Sequence, residues 1–251
     1  MLKDSEWNMI NQILLELYSI RRMEELTERL FNMFRVLVPY SQGYFLMFDE
    51  HNGIDTEKSR FIYMSKEVQE KYLKHFYDMD YLNYIFEFTV DTSTYRDTDI
   101  LDDNIRKNTK FYKEFLRPFN IPFGCGIVLL KKRKMLGIIN LFRNRETGNF
   151  SDREMQILDT LKLHIENIIY NLTLMEERKQ IGKIENFSKK FQLSAREQEV
   201  VELMEKGFSN KEIENILLIS LSTVKKHVNH IYSKTGVKSR TQLLAMLNKW
   251  G

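Results

Sequence analysis

The side chains best suited to chemistry on a polyanion stand together in SLSTVKKHVNHIYSKTG, from Ser220 to Gly236. This stretch holds Lys225, Lys226, His227, His230 and Lys234 and no acid. At helical spacing Val224, Val228, Ile231 and Thr235 share one face, which predicts a buried stripe. Lys225, Lys226, Asn229, His230 and Ser233 fall on the opposite side. They are hydrogen-bonding and cationic groups, the types that reach base edges and phosphates in a major groove. The helix start is unlike its neighbours. Ser194-x-x-Glu197, Ser209-x-x-Glu212 and Ser239-x-x-Gln242 each have the form of a capping box, whereas Ser220 is followed at the same spacing by Thr223. An acid there would stabilise the helix by up to about 1 kcal/mol and would repel a phosphate. A hydroxyl and backbone N–H groups would instead receive one, which places Ser222 and Thr223 at a candidate anion site. On this helix alone, a merely solubilising basic face remains an open alternative.

The charge distribution favours an anionic partner. The 251-residue chain carries a net charge of only +3, yet residues 188–251 hold 11 Lys/Arg against 6 Asp/Glu. Beyond Glu214 there are six Lys/Arg and no acid. Because this segment is also rich in apolar residues at helical spacing, it is expected to be a folded surface of one sign.

The elements that must position these groups follow from periodicity. Trp7, Ile10, Leu14 and Leu17, then Met23, Leu26, Leu30, Phe34 and Leu37, predict helices up to Pro39. YFLMF (44–48) and RFIYM (60–64) predict strands, and 67–86 a helix crowded with aromatics. Residues 87–107 read as loop, 111–116 as a short helix ending at Pro118. GCGIVLLKKRKMLGIINLFRN predicts a hairpin with a basic turn. Ser151-x-x-Glu154 opens a long helix to about 185. Along it Leu158, Leu161, Ile165, Ile168, Leu172 and Met175 alternate spacings of three and four, a heptad seam expected to dimerise two copies; packing of the same face on the sheet is the alternative. IGKIENFSKKFQ reads as a connector, and four short helices follow.

The segment Leu193–Leu244 resembles the DNA-binding domain of LuxR/NarL-type regulators. REQEV, GFSNKEI, IS…TVKKH and KTGVKSR carry the likeness, in order and over the whole domain. The resemblance implies a helix from about Ser222 in the major groove, with Lys225, Lys226 and Asn229 at bases. It also implies Thr223, Lys234, Ser239, Arg240 and Lys211 at phosphates. Exposed His230 joins the candidates from the helical wheel. Glu214 stands where the family usually has Ala, and Thr235 where Leu is common, departures expected to bear on packing. The implied partners are a double-stranded operator of two half-sites, a second copy of the chain, and RNA polymerase.

Residues 20–170 resemble, more loosely, the GAF- or PAS-type sensory halves that precede such domains, through YRDTDIL, FYKEFLRPFNI and LGIINLFRNRETGNFSDREMQILDTLKLHIEN. The expected fold class is α+β: a GAF/PAS-like α/β/α sandwich with a mainly antiparallel sheet, a long linker helix, and a four-helix helix-turn-helix domain. The expected division is 1–175 sensor and dimerisation, 176–190 linker, 191–251 DNA binding. Such sensors imply a small-molecule effector, with Tyr72, Phe76, Asp80, Tyr84 and Arg96 as candidate ligands. Acyl-homoserine-lactone receptors have a similar layout but carry Asp-Pro; here Tyr81 follows Asp80, and no Trp lies between Trp7 and Trp250. A ligand-free interaction module is the other reading.

Other functions lack their residues. A phosphorylated receiver domain needs an early strand with an acidic pair, where this chain predicts helix. Scattered histidines and the lone Cys125 predict no metal site, haem or other cofactor and no disulfide. No nucleophile–base motif or phosphate-cradling glycine loop suggests an enzyme. MLKDSEWN has no signal-peptide core, and no apolar run is long enough for a membrane span, so a cytoplasmic protein is expected.

Overall fold

The computed structural model describes residues 4–49, 52–83 and 88–250, and the chain divides into two compact units, 1–173 and 174–251. In the first, helices α1 (Asp4–Ser19) and α2 (Met23–Leu37) precede strands β1 (Gln42–Phe48) and β2 (Ile54–Ile62). Helix α3 (Lys66–Lys71) runs into a π-helical turn at Tyr72–Phe76 and a tighter turn at Tyr77–Met79. Within the predicted loop lie β3 (Ser93–Arg96), α4 (Asp97–Ile100) and α5 (Asp103–Asn108). A π-helical turn at Tyr112–Leu116 leads to β4 (Phe123–Lys131) and β5 (Lys134–Arg143). The predicted hairpin is β4–β5. Its turn residues Lys132 and Arg133 have φ of 51° and 64°, the mirror-image geometry that matches strand twist.

The five strands form one antiparallel sheet in the order β2-β1-β5-β4-β3. Alternation along each strand sends side chains to two cores. Phe45, Met47, Cys125, Ile127, Leu129, Ile139 and Leu141 pack with α1, α2 and the long helix α6 (Asp152–Lys190). Tyr44, Leu46, Val128, Leu130, Ile138 and Phe142 pack with an aromatic flap made by residues 64–82 and 111–121. This is a GAF/PAS-like sandwich with a helical layer on one face and the flap on the other.

The expected dimerisation seam is corrected here. Leu158, Leu161, Ile165, Ile168 and Leu172 are all buried in the core of the first unit, and only Met175 is exposed, at 51%. Spacings of three and four describe any helix with one packed face, and this face closes the sandwich. The outward residue Leu163 is 54% exposed.

In the second unit α6 continues to Lys190, followed by α7 (Ala195–Glu205), α8 (Asn210–Leu217), α9 (Leu221–Thr235) and α10 (Arg240–Asn248). The expected connector is therefore helical. Ile184 and Phe187 are buried in the same core as Val200, Met204, Ile213, Val224, Ile231 and Leu243. Ser194–Glu197 and Ser209–Glu212 form complete capping boxes. Ser239 Oγ receives the amide of Gln242, whose own side chain accepts from Lys238 N–H rather than from the cap.

Candidate nucleic-acid interface and sensor core

Helix α9 is built as its periodicity predicts. Val224, Val228, Ile231 and Thr235 are buried, while Ser222, Lys225, Lys226, Asn229 and His230 are exposed and Thr223 is half-buried. Ser220 Oγ caps the helix by receiving the amide of Thr223 at 3.2 Å. At the other end Gly236 takes φ 74° and its N–H closes on Tyr232 O at 2.9 Å. Such a left-handed stop suits glycine. Lys211, near the start of α8, is exposed.

Two expected phosphate contacts have other partners. Lys234 Nζ donates to Glu197 Oε2 at 2.5 Å and to Gln192 O at 2.9 Å. Arg240 donates to Phe208 O and Met204 O, both at 2.6 Å. Both cations thus brace the domain, tying α9 and α10 to the ends of α7. Ser239 caps α10 through Gln242 N.

Two acids were missed as parts of this architecture. The Glu197 side chain is only 4% exposed and faces Lys234, with His230 Nδ1 3.7 Å away. Burial alone would raise its pKa, but bonds from Lys234 and from the amide and hydroxyl of Ser194 outweigh that and hold it below the usual carboxylate range. Glu214 Oε1 receives the N–H of Leu221, first residue of α9, at 3.0 Å. An acid does reach the start of this helix, from the preceding helix rather than from the third capped position. Glu214 was expected to matter for packing; instead it makes a polar contact with the first residue of α9.

In the N-terminal unit, Tyr44 (β1), Asn140 (β5), Gly126 (β4) and Tyr95 (β3) form one register row across the sheet. Gly126 leaves room for the Tyr95 hydroxyl to cross its strand and donate to Asn140 Oδ1 at 3.0 Å. A Cβ at Gly126 would stand 2.8 Å from that hydroxyl and 2.0 Å from Ile139 O. Asn140 Nδ2 is buried without a partner. The signal for this row was the lone amide in the apolar run LGIINLF. Nearby, Tyr81 donates to Asp97 at 3.2 Å, and fully buried Arg106 pairs with Asp97 at 3.4 Å.

Asp80 and Tyr72 are brought together, as the candidate site required, but inside a closed core. Asp80 accepts from the Tyr72 hydroxyl at 3.1 Å and from Leu82 N–H at 3.0 Å, and both residues are fully buried. Tyr72 stacks on Tyr44, with ring centroids 5.3 Å apart, and packs on Phe115. Burial pushes the Asp80 pKa up to about 7, against the bonds from Leu82 and Tyr72 and with a push from Asp97. Phe76 packs on Phe115 at 5.0 Å. Arg96 is remote from this group: it pairs with Asp99 and Asp152 and donates to Phe150 O at 2.8 Å. Tyr84 lies outside the described residues. The expected ligand set therefore does not surround a cavity. A cleft of about 630 Å³ lies instead beside it, lined by Phe48, Tyr77, Asn83, Leu130, Met135 and Ile138 among others. Tyr77 joins the two, since its ring packs edge-on against Tyr72.

Among the described residues, no group of three or more His, Cys, Asp or Glu could hold a metal ion, and no helix is long and apolar enough to cross a membrane.

A helix-turn-helix with a polar, basic reading face, joined in one chain to a GAF-like sandwich, defines a DNA-binding transcription regulator with a sensor-like N-terminal domain. Residues 191–247 match the family model "Bacterial regulatory proteins, luxR family". The C-terminal domain belongs to that LuxR family. The monoamine regulon transcriptional regulator of Klebsiella aerogenes is 29% identical over 209 residues, 83% of this chain and 84% of that protein. The HTH-type regulator YhjB of Escherichia coli K12 is 48% identical over 56 residues, 22% of this chain and 28% of that one. Among solved structures, SdiA in complex with octanoyl-rac-glycerol aligns over 100% of this chain and 98% of its own, with TM-score 0.51 and 18% identity. The ligand-binding domain of VqsR from Pseudomonas aeruginosa aligns with 67% of this chain and 96% of its own, at TM-score 0.51 and 13% identity. Both likenesses are of fold.

Proposed function

We propose that this chain is a cytoplasmic, homodimeric transcription regulator whose N-terminal sandwich takes up a small-molecule effector. The effector occupies the cleft between the sheet and the flap. The observation that carries this reading is the cleft itself. It lies within the size range of ligand sites and has apolar walls from β1, β4 and β5. At its side Asn83 Oδ1 is buried without a hydrogen-bond partner. Lys225, Lys226 and Asn229 contact base edges, and Lys211, Ser222, Thr223 and His230 lie toward the DNA backbone. Two copies meet on the outward faces of α1 and α6, where Leu15 and Leu163 are exposed, and they read two half-sites about one helical turn apart. RNA polymerase is the further partner, and no resident cofactor is required.

The effector class to test first is an aromatic amine. A relative that spans most of this chain is a regulator of a monoamine regulon, and here Tyr77 and Asp78, an aromatic and an acidic residue, are among those that line the cleft. The test is thermal unfolding of the full chain with aromatic amines, medium-chain acylglycerols and acyl-homoserine lactones. Ligand at a hundred times its Kd adds about 2.7 kcal/mol, read as a raised unfolding temperature that the cleft substitution Ile138→Trp abolishes.

A second reading, a ligand-free dimerisation or protein-interaction module, is favoured by the closed aromatic packing around Tyr72 and Asp80. It predicts no shift with any of these compounds and the same DNA affinity with and without them.

A further inference from the structure

One residue of α8 holds most of the turn that leads into α9. The main-chain carbonyl of Glu214 receives the amides of Leu218 and Ile219, the latter at 3.2 Å. Its side chain then crosses the turn to receive the amide of Leu221 at 3.0 Å. Leu221 carries one of the N–H groups that an isolated helix leaves without a partner. Within the turn Leu218 stands at φ 52° and ψ 44°, the left-handed region, and the residue is 89% exposed. A leucine there is strained, because its Cβ crowds the following carbonyl, and no burial offsets the strain. Such a turn persists only where its surroundings over-determine it, and Glu214 grips it on both sides. The chain beyond Glu214 has no acid, so no later residue can supply this carboxylate.

We propose that Glu214 is a positioning residue for DNA reading. Through Leu221 it fixes the direction in which α9 leaves the strained turn, and so where Lys225, Lys226 and Asn229 stand relative to α8. This rests on the reading of α9 as the helix that contacts base edges. Base contacts depend on side-chain geometry, whereas phosphate attraction does not. Loss of the Glu214 bond therefore lowers discrimination between sequences more than affinity in general. The carboxylate charge also opposes phosphates near the helix start, so removing the charge while keeping the acceptor strengthens binding to any duplex.

The test compares the full-length wild-type chain with E214Q, which keeps an acceptor without charge, and E214D, which keeps the charge on a side chain too short to reach Leu221. Binding is measured to a duplex enriched from a random pool by the wild-type chain, and to a scrambled duplex of equal length. Hydrogen exchange at the Leu221 amide is followed in parallel. E214Q is expected to keep Leu221 protected, to bind both duplexes about two- to fivefold more tightly and to leave their affinity ratio unchanged. E214D is expected to expose Leu221 to exchange and to lower the ratio about fivefold or more. A ratio in E214D equal to the wild type's, or Leu221 exchange that no substitution alters, overturns the proposal. If the wild-type chain enriches no duplex at all, base reading by α9 fails and the positioning role falls with it, while Leu221 exchange still reports whether Glu214 holds the turn.

Discussion

Lys234 donates to the buried carboxylate of Glu197 at 2.5 Å, joining the last turn of α9 to the first turn of α7. The carboxylate also accepts the N–H of Ser194 at 2.8 Å, so one acid serves both a helix cap and an interhelical ion pair. Lys234→Ala leaves the Glu197 charge without its cation and is expected to cost about 2 kcal/mol in urea unfolding of the C-terminal unit. The pH dependence follows from the lowered pKa of Glu197. A depressed carboxylate contributes stability that is present above its unfolded value, about 4.3, and is lost as pH falls through the folded value. Lys234→Ala should therefore flatten the acid limb of the stability curve. An acid limb identical to the wild type's removes the ion pair from the account.

The opposite sign holds for Asp80. Its pKa is pushed up to about 7 by burial, so the folded chain binds a proton that the unfolded chain has released. The stabilising contribution is full below about 4 and is lost as pH rises through about 7. Asp80→Asn keeps the polar shape without the titration. It is expected to be more stable than the wild type at pH 8, by an amount that shrinks toward pH 5, as read by unfolding of the N-terminal unit at each pH. A difference between the two chains that does not vary over this range refutes the burial of an ionisable carboxyl there.

These two acids show what was legible in the chain and what was not. The elements around them were readable, because Val224, Val228 and Ile231 on α9, and Leu158, Leu161 and Ile165 on α6, mark packed faces by spacing alone. The motifs REQEV and TVKKH carried the C-terminal family. What spacing cannot state is the partner of a packed face: the α6 stripe met its own sheet rather than a second copy. Nor can it state tertiary pairing. Arg240 and Lys234 were phosphate contacts through the family resemblance alone, which does not state what each side chain meets within this domain. The carbonyls of Met204 and Phe208 that hold Arg240 lie more than thirty positions away in the chain. Asp80 beside Tyr72 was legible as a pair, but whether they lined a cavity depended on Tyr44 and Phe115, which come from other elements.

The two assignments of α6 separate in a single comparison. Leu161 is fully buried in the sandwich, whereas Leu163, two residues on, is 54% exposed. Leu161→Ala is expected to cost 2–5 kcal/mol, roughly the range for a buried leucine, whatever the protein concentration. Leu163→Asp is expected to change the stability of the single chain by less than about 0.5 kcal/mol and to shift sedimentation from dimer to monomer. A wild-type chain that sediments as a monomer at all concentrations rejects the proposed outer face. A dimer that survives Leu163→Asp moves the interface elsewhere.

The DNA face can be resolved in the same way. Lys225 is exposed on the polar side of α9, whereas Arg240 spends its guanidinium on two carbonyls at 2.6 Å. Lys225→Ala should cost about 1–3 kcal/mol of binding to a selected duplex and little to a scrambled one, the mark of base reading. Arg240→Ala should lower the unfolding temperature of the C-terminal unit, because it removes the guanidinium bonds to two part-buried carbonyls that tie α10 to the end of α7. Once that loss of folded fraction is corrected for, it should leave the salt dependence of binding nearly unchanged. A phosphate ligand would behave otherwise, each lost contact lowering the slope of log affinity against log salt by about 1. A flattened slope in a fully folded Arg240→Ala chain would return Arg240 to the phosphate face.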